Sequence, residues 1–170
     1  MSQNKAVKTF GEFLLEGLSD KENLIFFAWS EANDIKAKLG LAKNQTALLL
    51  DSCSPSQVLL AQMLSDDGID VVHGVRTDGE MALLKLCGVE KCILVDDFSY
   101  LDQLNDLHQI STVDAVCLSV VDDYSSRAVQ VVNSGGVVVN LDVNGRKDID
   151  LSIAGITLFN YHFADRVKAG

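Results

Sequence analysis

Three hydroxyl side chains at alternate positions, Ser52, Ser54 and Ser56, stand in the stretch TALLLDSCSPSQVLLAQML, with Cys53 and Pro55 between them. Serines at the start of a helix can donate hydrogen bonds to a phosphate, reinforced by backbone amides and the positive end of the helix. The plainer chemistry is that Ser54 caps the helix and Pro55, the chain's single proline, takes its first position. The two roles are compatible. Arg76, followed by Thr77, is the second candidate, because a guanidinium can hold a phosphate through two parallel hydrogen bonds. Its plain alternative is a solvated arginine beside an exposed TDG turn. Cys53 could act as a thiol nucleophile, although an ordinary loop cysteine is the simpler reading. His73 lies inside an apolar run and reads as packing, His108 is on a polar helix, and His162 is near Tyr161. None has sequence neighbours that suggest a Ser–His–Asp arrangement.

The elements that must position these residues follow from hydrophobic periodicity. Residues 1–20 carry Phe10, Phe13, Leu14, Leu15 and Leu18 at amphipathic helical spacing. NLIFFAW, 23–29, reads as a short strand. Ser30 then resembles an N-cap, with Ile35 and Leu39 inward and Gly40 as the stop. Strands are expected at 46–51, 69–75, 91–96, 113–120, 136–142 and 156–162, with helices at 56–66, 78–87, 99–109 and 123–133. Strands apolar on both faces and alternating with helices imply a sheet covered on both sides. The expected fold is α/β, a doubly wound, mostly parallel Rossmann-type sheet with helices on both faces. The division is a helix and short strand over 1–29 and a Rossmann-like domain over 30–170.

In that fold the turn after the first strand receives a pyrophosphate, and glycines there let the backbone approach it. Here the turn is DSCSPS and holds no glycine. Arg76 and Thr77 end the second strand, where the adenosine ribose lies; an arginine there favours NADP over NAD. Asp96 and Asp97 follow the third strand and could touch a base, though capping the next helix is preferred.

At 170 residues one domain is the economical expectation, large enough to bury a core without metals or disulfides. The four cysteines, Cys53, Cys87, Cys92 and Cys117, form no C-x-x-C pair, so zinc spacing is absent; the last three read as buried small hydrophobes. A net charge of −10 argues against a general nucleic-acid or anionic-membrane binder. No apolar run has the length of a membrane span and MSQNKAVKTF has no secretory apolar core, so a soluble, cytoplasmic protein is expected.

From Ser30 onward the chain resembles the cofactor-binding half of the medium-chain dehydrogenase/reductase superfamily, with the enoyl reductase domains of polyketide and fatty-acid synthases as the nearest likeness. The likeness is carried by DIKAKLGLAKNQTALLLD, the lead-in helix and first strand, and by GVRTDGEMALLKLCGVEKCILVDD, the second strand to the third. VDAVCLSVVDDYSSRAVQVVNSGGVVVNLD continues it with the paired glycines Gly135 and Gly136, then GRKDIDL and ITLFNYHF. The departures are the SCSPS turn and Asp122, with Asp123 beside it, where relatives often carry glycine.

The resemblance implies NADP(H) as cofactor. It places Ser119 at the nicotinamide edge and Arg146 or Lys147 near a lysine of the reductases; without a gap, Val143 aligns on that lysine. It also implies a substrate domain that residues 1–29 are too short to form, so an active reductase would need a second chain, a synthase or substrate-domain partner. In many superfamily members the sixth strand pairs with its twin, which makes a homodimer through ITLFNYHF plausible. The leading expectation is therefore an NADP(H)-binding oxidoreductase domain, weakly active or inactive alone. Its rival is a noncatalytic pseudoenzyme domain kept for scaffolding or dimerisation in a synthase-like assembly. A methyltransferase-like domain shares the βαβ start, but it needs a glycine-rich first turn and an acid where Arg76 stands.

Overall fold

The computed structural model describes residues 20–96, 98–141 and 155–161. Helix α1 (Asp20–Leu39) leads into β1 (Thr46–Leu50), followed by α2 (Pro55–Asp66), β2 (Asp70–Val75), α3 (Asp78–Leu86) and β3 (Cys92–Leu94). Helix α4 (Tyr100–His108), β4 (Val113–Leu118), a 3-10 helix (Ser125–Val131), β5 (Val132–Asn140) and β6 (Thr157–Asn160) complete the order. The expected amphipathic helix in the first residues, Asp97, Arg146, Lys147 and His162 lie outside the described residues.

The six strands form one sheet in the order β3-β2-β1-β4-β5-β6, and every neighbouring pair is parallel. This is the doubly wound α/β arrangement expected from the sequence. β1 is central because its side chains are apolar in both directions. Ala47 and Leu49 pack under α1 and α2 with Ile35, Leu60 and Leu64, while Leu48 and Leu50 pack on the opposite face with Val72, Tyr100 and Leu104. All four of these β1 residues are fully buried, and each leucine contributes about 1.5–3 kcal/mol by leaving water.

Residues 23–29 are helical, not a strand. Ala28, Ala32, Ile35 and Leu39 are the buried positions of α1, spaced four, three and four apart, and the stripe runs through Ser30 without a break. Ser30 is therefore mid-helix rather than an N-cap. A seven-residue apolar run carries no decisive period of its own, and its neighbours in the chain extend it as helix. At 20 residues α1 is about 30 Å long, against about 17 Å for the five residues of β1. The sheet cannot cover its first turns, and Leu24, Ile25 and Trp29 remain 60%, 59% and 47% exposed. Gly40 ends the helix as expected, at φ +58° with its amide donating to Lys36. Lys38 then reaches the edge strand, 5.4 Å from the Phe159 ring and 5.7 Å from that of Tyr161.

The fourth helix is a 3-10 turn over Ser125–Val131, shorter than the α-helix expected at 123–133, and β5 begins directly at Val132. Pairing of β4 with β5 shifts register between Val113 and Ala115, and Gly136 sits at that irregularity. A Cβ there would lie 2.4 Å from Val132 Cγ1, 2.7 Å from the Asp114 carbonyl and 2.8 Å from that of Asn133. Close backbone approach, not φ, requires this glycine. Cys92 and Cys117 are buried as expected, whereas Cys87 is exposed because it is the C-cap of α3 rather than part of its packed face. Among the described residues no helix is long and apolar enough to cross a membrane.

Candidate nucleotide crevice

The chain leaves β3 and returns on the other side of β1 as β4, so the carboxyl ends of β1 and β4 diverge at a topological switch point. Ligands of open α/β sheets bind in the crevice beyond such a point. Five of the seven described candidate residues follow the carboxyl ends of the strands at or next to this point, Ser52, Ser54 and Ser56 after β1, Arg76 after β2 and Ser119 after β4, and protein groups already engage most of them.

The turn after β1 is made by Asp51 in the left-handed region at φ +55°, a conformation an aspartate visits more readily than most residues. Its amide still donates to the Gly74 carbonyl at 2.8 Å, extending the β1–β2 ladder by one residue. Ser52 then points inward, fully buried, with its hydroxyl 2.9 Å from His73 Nδ1. His73 packs as the sequence suggested, 3% exposed, and burial lowers its pKa to about 4. The Ser–His contact was not visible in sequence, since the two residues meet only when β1 and β2 pair; its burial keeps Ser52 from acting as a nucleophile. Ser54 is the N-cap of α2, accepting from the Gln57 amide at 3.3 Å, and Pro55 follows at the helix start. Ser56 is 7% exposed and 3.3 Å from the Ser54 hydroxyl. Burial first, then Glu80 and Asp51, raise the Cys53 thiol pKa, which suits a plain loop cysteine.

Across the switch point, the fully buried Gln57 amide donates to Ser119 Oγ at 2.8 Å and approaches Cys117 Sγ at 3.4 Å. Gln57 Oε1 has no partner. Ser119, at 4% exposure, thus joins α2 to the end of β4. Gln57 was not singled out in the sequence; its signal would have been a polar residue on the inward face of the first turn of α2.

Arg76 bridges the turn after β1 and the loop after β4. Its Nε and one terminal nitrogen meet the Asp51 carboxylate at 2.5 and 3.1 Å, and its other terminal nitrogen meets Asp122 Oδ2 at 2.9 Å. The bidentate hydrogen bond to Asp51 raises the arginine pKa further, against an opposing effect of burial. Burial pushes the Asp122 carboxyl up, but the Ser125 amide and Arg76 outweigh it and leave its pKa below the usual value. Asp122 Oδ1 also accepts from the amides of Tyr124 and Ser125, at 3.0 and 2.7 Å, starting the 3-10 helix. Neither acid was read from sequence as a partner of Arg76. The strand order alone would have given the signal, because β2, β1 and β4 are consecutive in the sheet.

Thr77 is occupied differently. It caps α3, accepting from the Glu80 amide at 3.2 Å, while Glu80 accepts from the amides of Arg76 and Thr77. Asp96 is exposed just past β3, and the N-cap of α4 is Ser99, so the expected aspartate cap is replaced.

No family model matches the sequence, and no curated protein matches it. Solved structures do. The CurK enoyl reductase superposes with a TM-score of 0.74 at 12% identity, over 91% of this chain and 48% of that one. The nucleotide-binding subdomain of the enoyl reductase domain of PpsC from Mycobacterium tuberculosis gives 0.67 at 16% identity, over 86% and 84%. A mycobacterial protein complexed with NADPH gives 0.66 at 14% identity, over 84% and 46%. The chain spans about half the length of CurK enoyl reductase. The chain therefore shares the α/β fold of these enoyl reductase structures.

Proposed function

We propose that this chain is an enoyl-reductase-type NADP(H)-binding domain, weak or inactive by itself and completed by a substrate domain supplied from outside these residues. The observation that carries this reading is Arg76 at the carboxyl end of β2, beside the switch-point crevice, where an arginine suits the 2′-phosphate of NADP. The fold and the NADPH bound in one similar structure support it. The residue types fit the cofactor better than their present contacts do. Arg76 is ion-paired, Ser54 caps its own helix, and Ser52 is buried, so NADP(H) must compete with protein groups. When bound, the cofactor would supply or accept the hydride; this chain would hold it, with Arg76 at the ribose end and Ser119 near the other. A second copy across the β6 edge is the assembly this reading carries.

A second reading rests on the same ion pairs. A glycine-free turn and an arginine matched by Asp51 and Asp122 describe a noncatalytic domain that kept the fold for scaffolding or dimerisation. Titration with NADPH and NADH, followed by heat or nucleotide fluorescence, separates the two. Saturable micromolar NADPH binding that Arg76→Ala weakens supports the cofactor domain. No binding of either nucleotide at millimolar concentration in a folded sample leaves the scaffold reading.

A further inference from the structure

The segments that follow β2, β3 and β4 at the carboxyl edge of the sheet build a ladder of alternating character around Arg76. The guanidinium carbon of Arg76 stands 5.9 Å from the Tyr124 ring centre. Tyr124 stacks on Phe98 with centres 4.7 Å apart and planes 28° apart, and Arg127 covers Phe98 at 5.1 Å. Arg127 also donates to the Phe98 carbonyl at 2.9 Å, and the buried Tyr100 hydroxyl donates to the Tyr124 carbonyl at 2.7 Å, which fixes the loop from beneath. In the same loop Asp122 presents its second carboxylate oxygen to Arg76.

Arg76 therefore has an anion and a planar ring from one short segment, 122–124. These are the two groups that a phosphate-bearing nucleotide would bring to it. We propose that Asp122 and Tyr124 are an internal occupant of the Arg76 site, and that they set which ligands the site accepts and how tightly. This rests on the NADP(H) reading given above and goes beyond it. A ligand phosphate competes with a carboxylate already tethered at 2.9 Å, an intramolecular contact of high effective concentration. Its apparent affinity is lowered by the fraction of molecules in which the segment has left Arg76. Asp51 remains on the opposite side of the guanidinium in either state, orienting Arg76 while the 122–124 side exchanges.

The test uses the full chain and three variants, Asp122→Asn, Tyr124→Leu and the double, titrated with NADPH, NADH and 2′,5′-ADP. Asparagine retains the Oδ1 acceptor that the Tyr124 and Ser125 amides need, so the turn survives while the ion pair to Arg76 is lost. Tyr124→Leu keeps an apolar partner for Phe98 and removes the ring. Circular dichroism confirms that each is folded. The double variant should bind NADPH and 2′,5′-ADP about tenfold or more tightly than the unaltered chain, with a smaller gain for NADH. If the unaltered chain binds NADPH and no variant binds it more tightly, the internal occupant is refuted while the NADP(H) reading stands. If only the opened variants bind, the occupant is established and unaided binding by the native chain is not. If none binds, both fail.

Discussion

Arg76 and Asp51 form a two-point ion pair, 2.5 and 3.1 Å, that ties the end of β2 to the turn after β1. The Asp51 side chain is 14% exposed and that of Arg76 27%, so water screens the contact only in part. Removing the cation leaves two carboxylates facing one another. Arg76→Ala should cost about 2 kcal/mol of unfolding free energy in urea. Asp122→Asn should cost less, since its pair with Arg76 is the more exposed. An Arg76→Ala chain as stable as the native one would show that the pair contributes no net stability.

Acid should act on the same latch. The folded pKa of Asp122 lies below its ordinary value of 3.8, so the folded state favours the carboxylate. That contribution is complete above the unfolded pKa and is lost as pH falls through the folded one. Chemical denaturation of the native chain below about pH 4 should therefore lose more stability than the Asp122→Asn variant does.

His73 gives a separate window. Burial lowers its pKa to about 4 from 6.5, so between those values the unfolded chain binds a proton that the folded chain does not. Stability should be full above 6.5 and fall by about 3 kcal/mol toward pH 4. His73→Leu should flatten that slope, even though the orphaned Ser52 hydroxyl lowers stability at every pH. A slope unchanged in the variant would assign the pH dependence to other groups.

Gln57 and Ser119 should behave asymmetrically. Gln57→Leu alone leaves a buried serine hydroxyl without its partner and should cost about 1–2 kcal/mol. Adding Ser119→Ala removes the orphaned hydroxyl as well and should recover most of that loss. A double-mutant cycle in urea reads the coupling.

Gly136→Ala should destabilise the fold by about 1–3 kcal/mol, since two of the contacts under 3.0 Å are with backbone carbonyls that cannot swing aside. Gly79, in the first turn of α3, is the control. A Cβ there has nothing nearer than Thr77 Oγ1 at 3.8 Å, and alanine should be neutral or stabilise by up to about 1 kcal/mol. Thermal melts of the two variants, compared at equal protein concentration, check both.

By itself the sequence determined what depends on neighbours along the chain. Strands such as ALLL and VCL, apolar on both faces, could be satisfied only inside a parallel sheet covered on both faces, and Gly40 and Ser54 with Pro55 marked helix ends through local backbone chemistry. Where a local signal was ambiguous, tertiary packing decided. NLIFFAW became the first turns of α1 because the Ala28–Ala32–Ile35–Leu39 stripe had a core to cover. The state of the crevice was settled by tertiary structure alone. Arg76 meets Asp51 across 25 residues of sequence and Gln57 meets Ser119 across 62. No periodicity or motif spacing encodes such pairs; they exist because the sheet places β2, β1 and β4 side by side and brings their carboxyl ends within reach of one arginine.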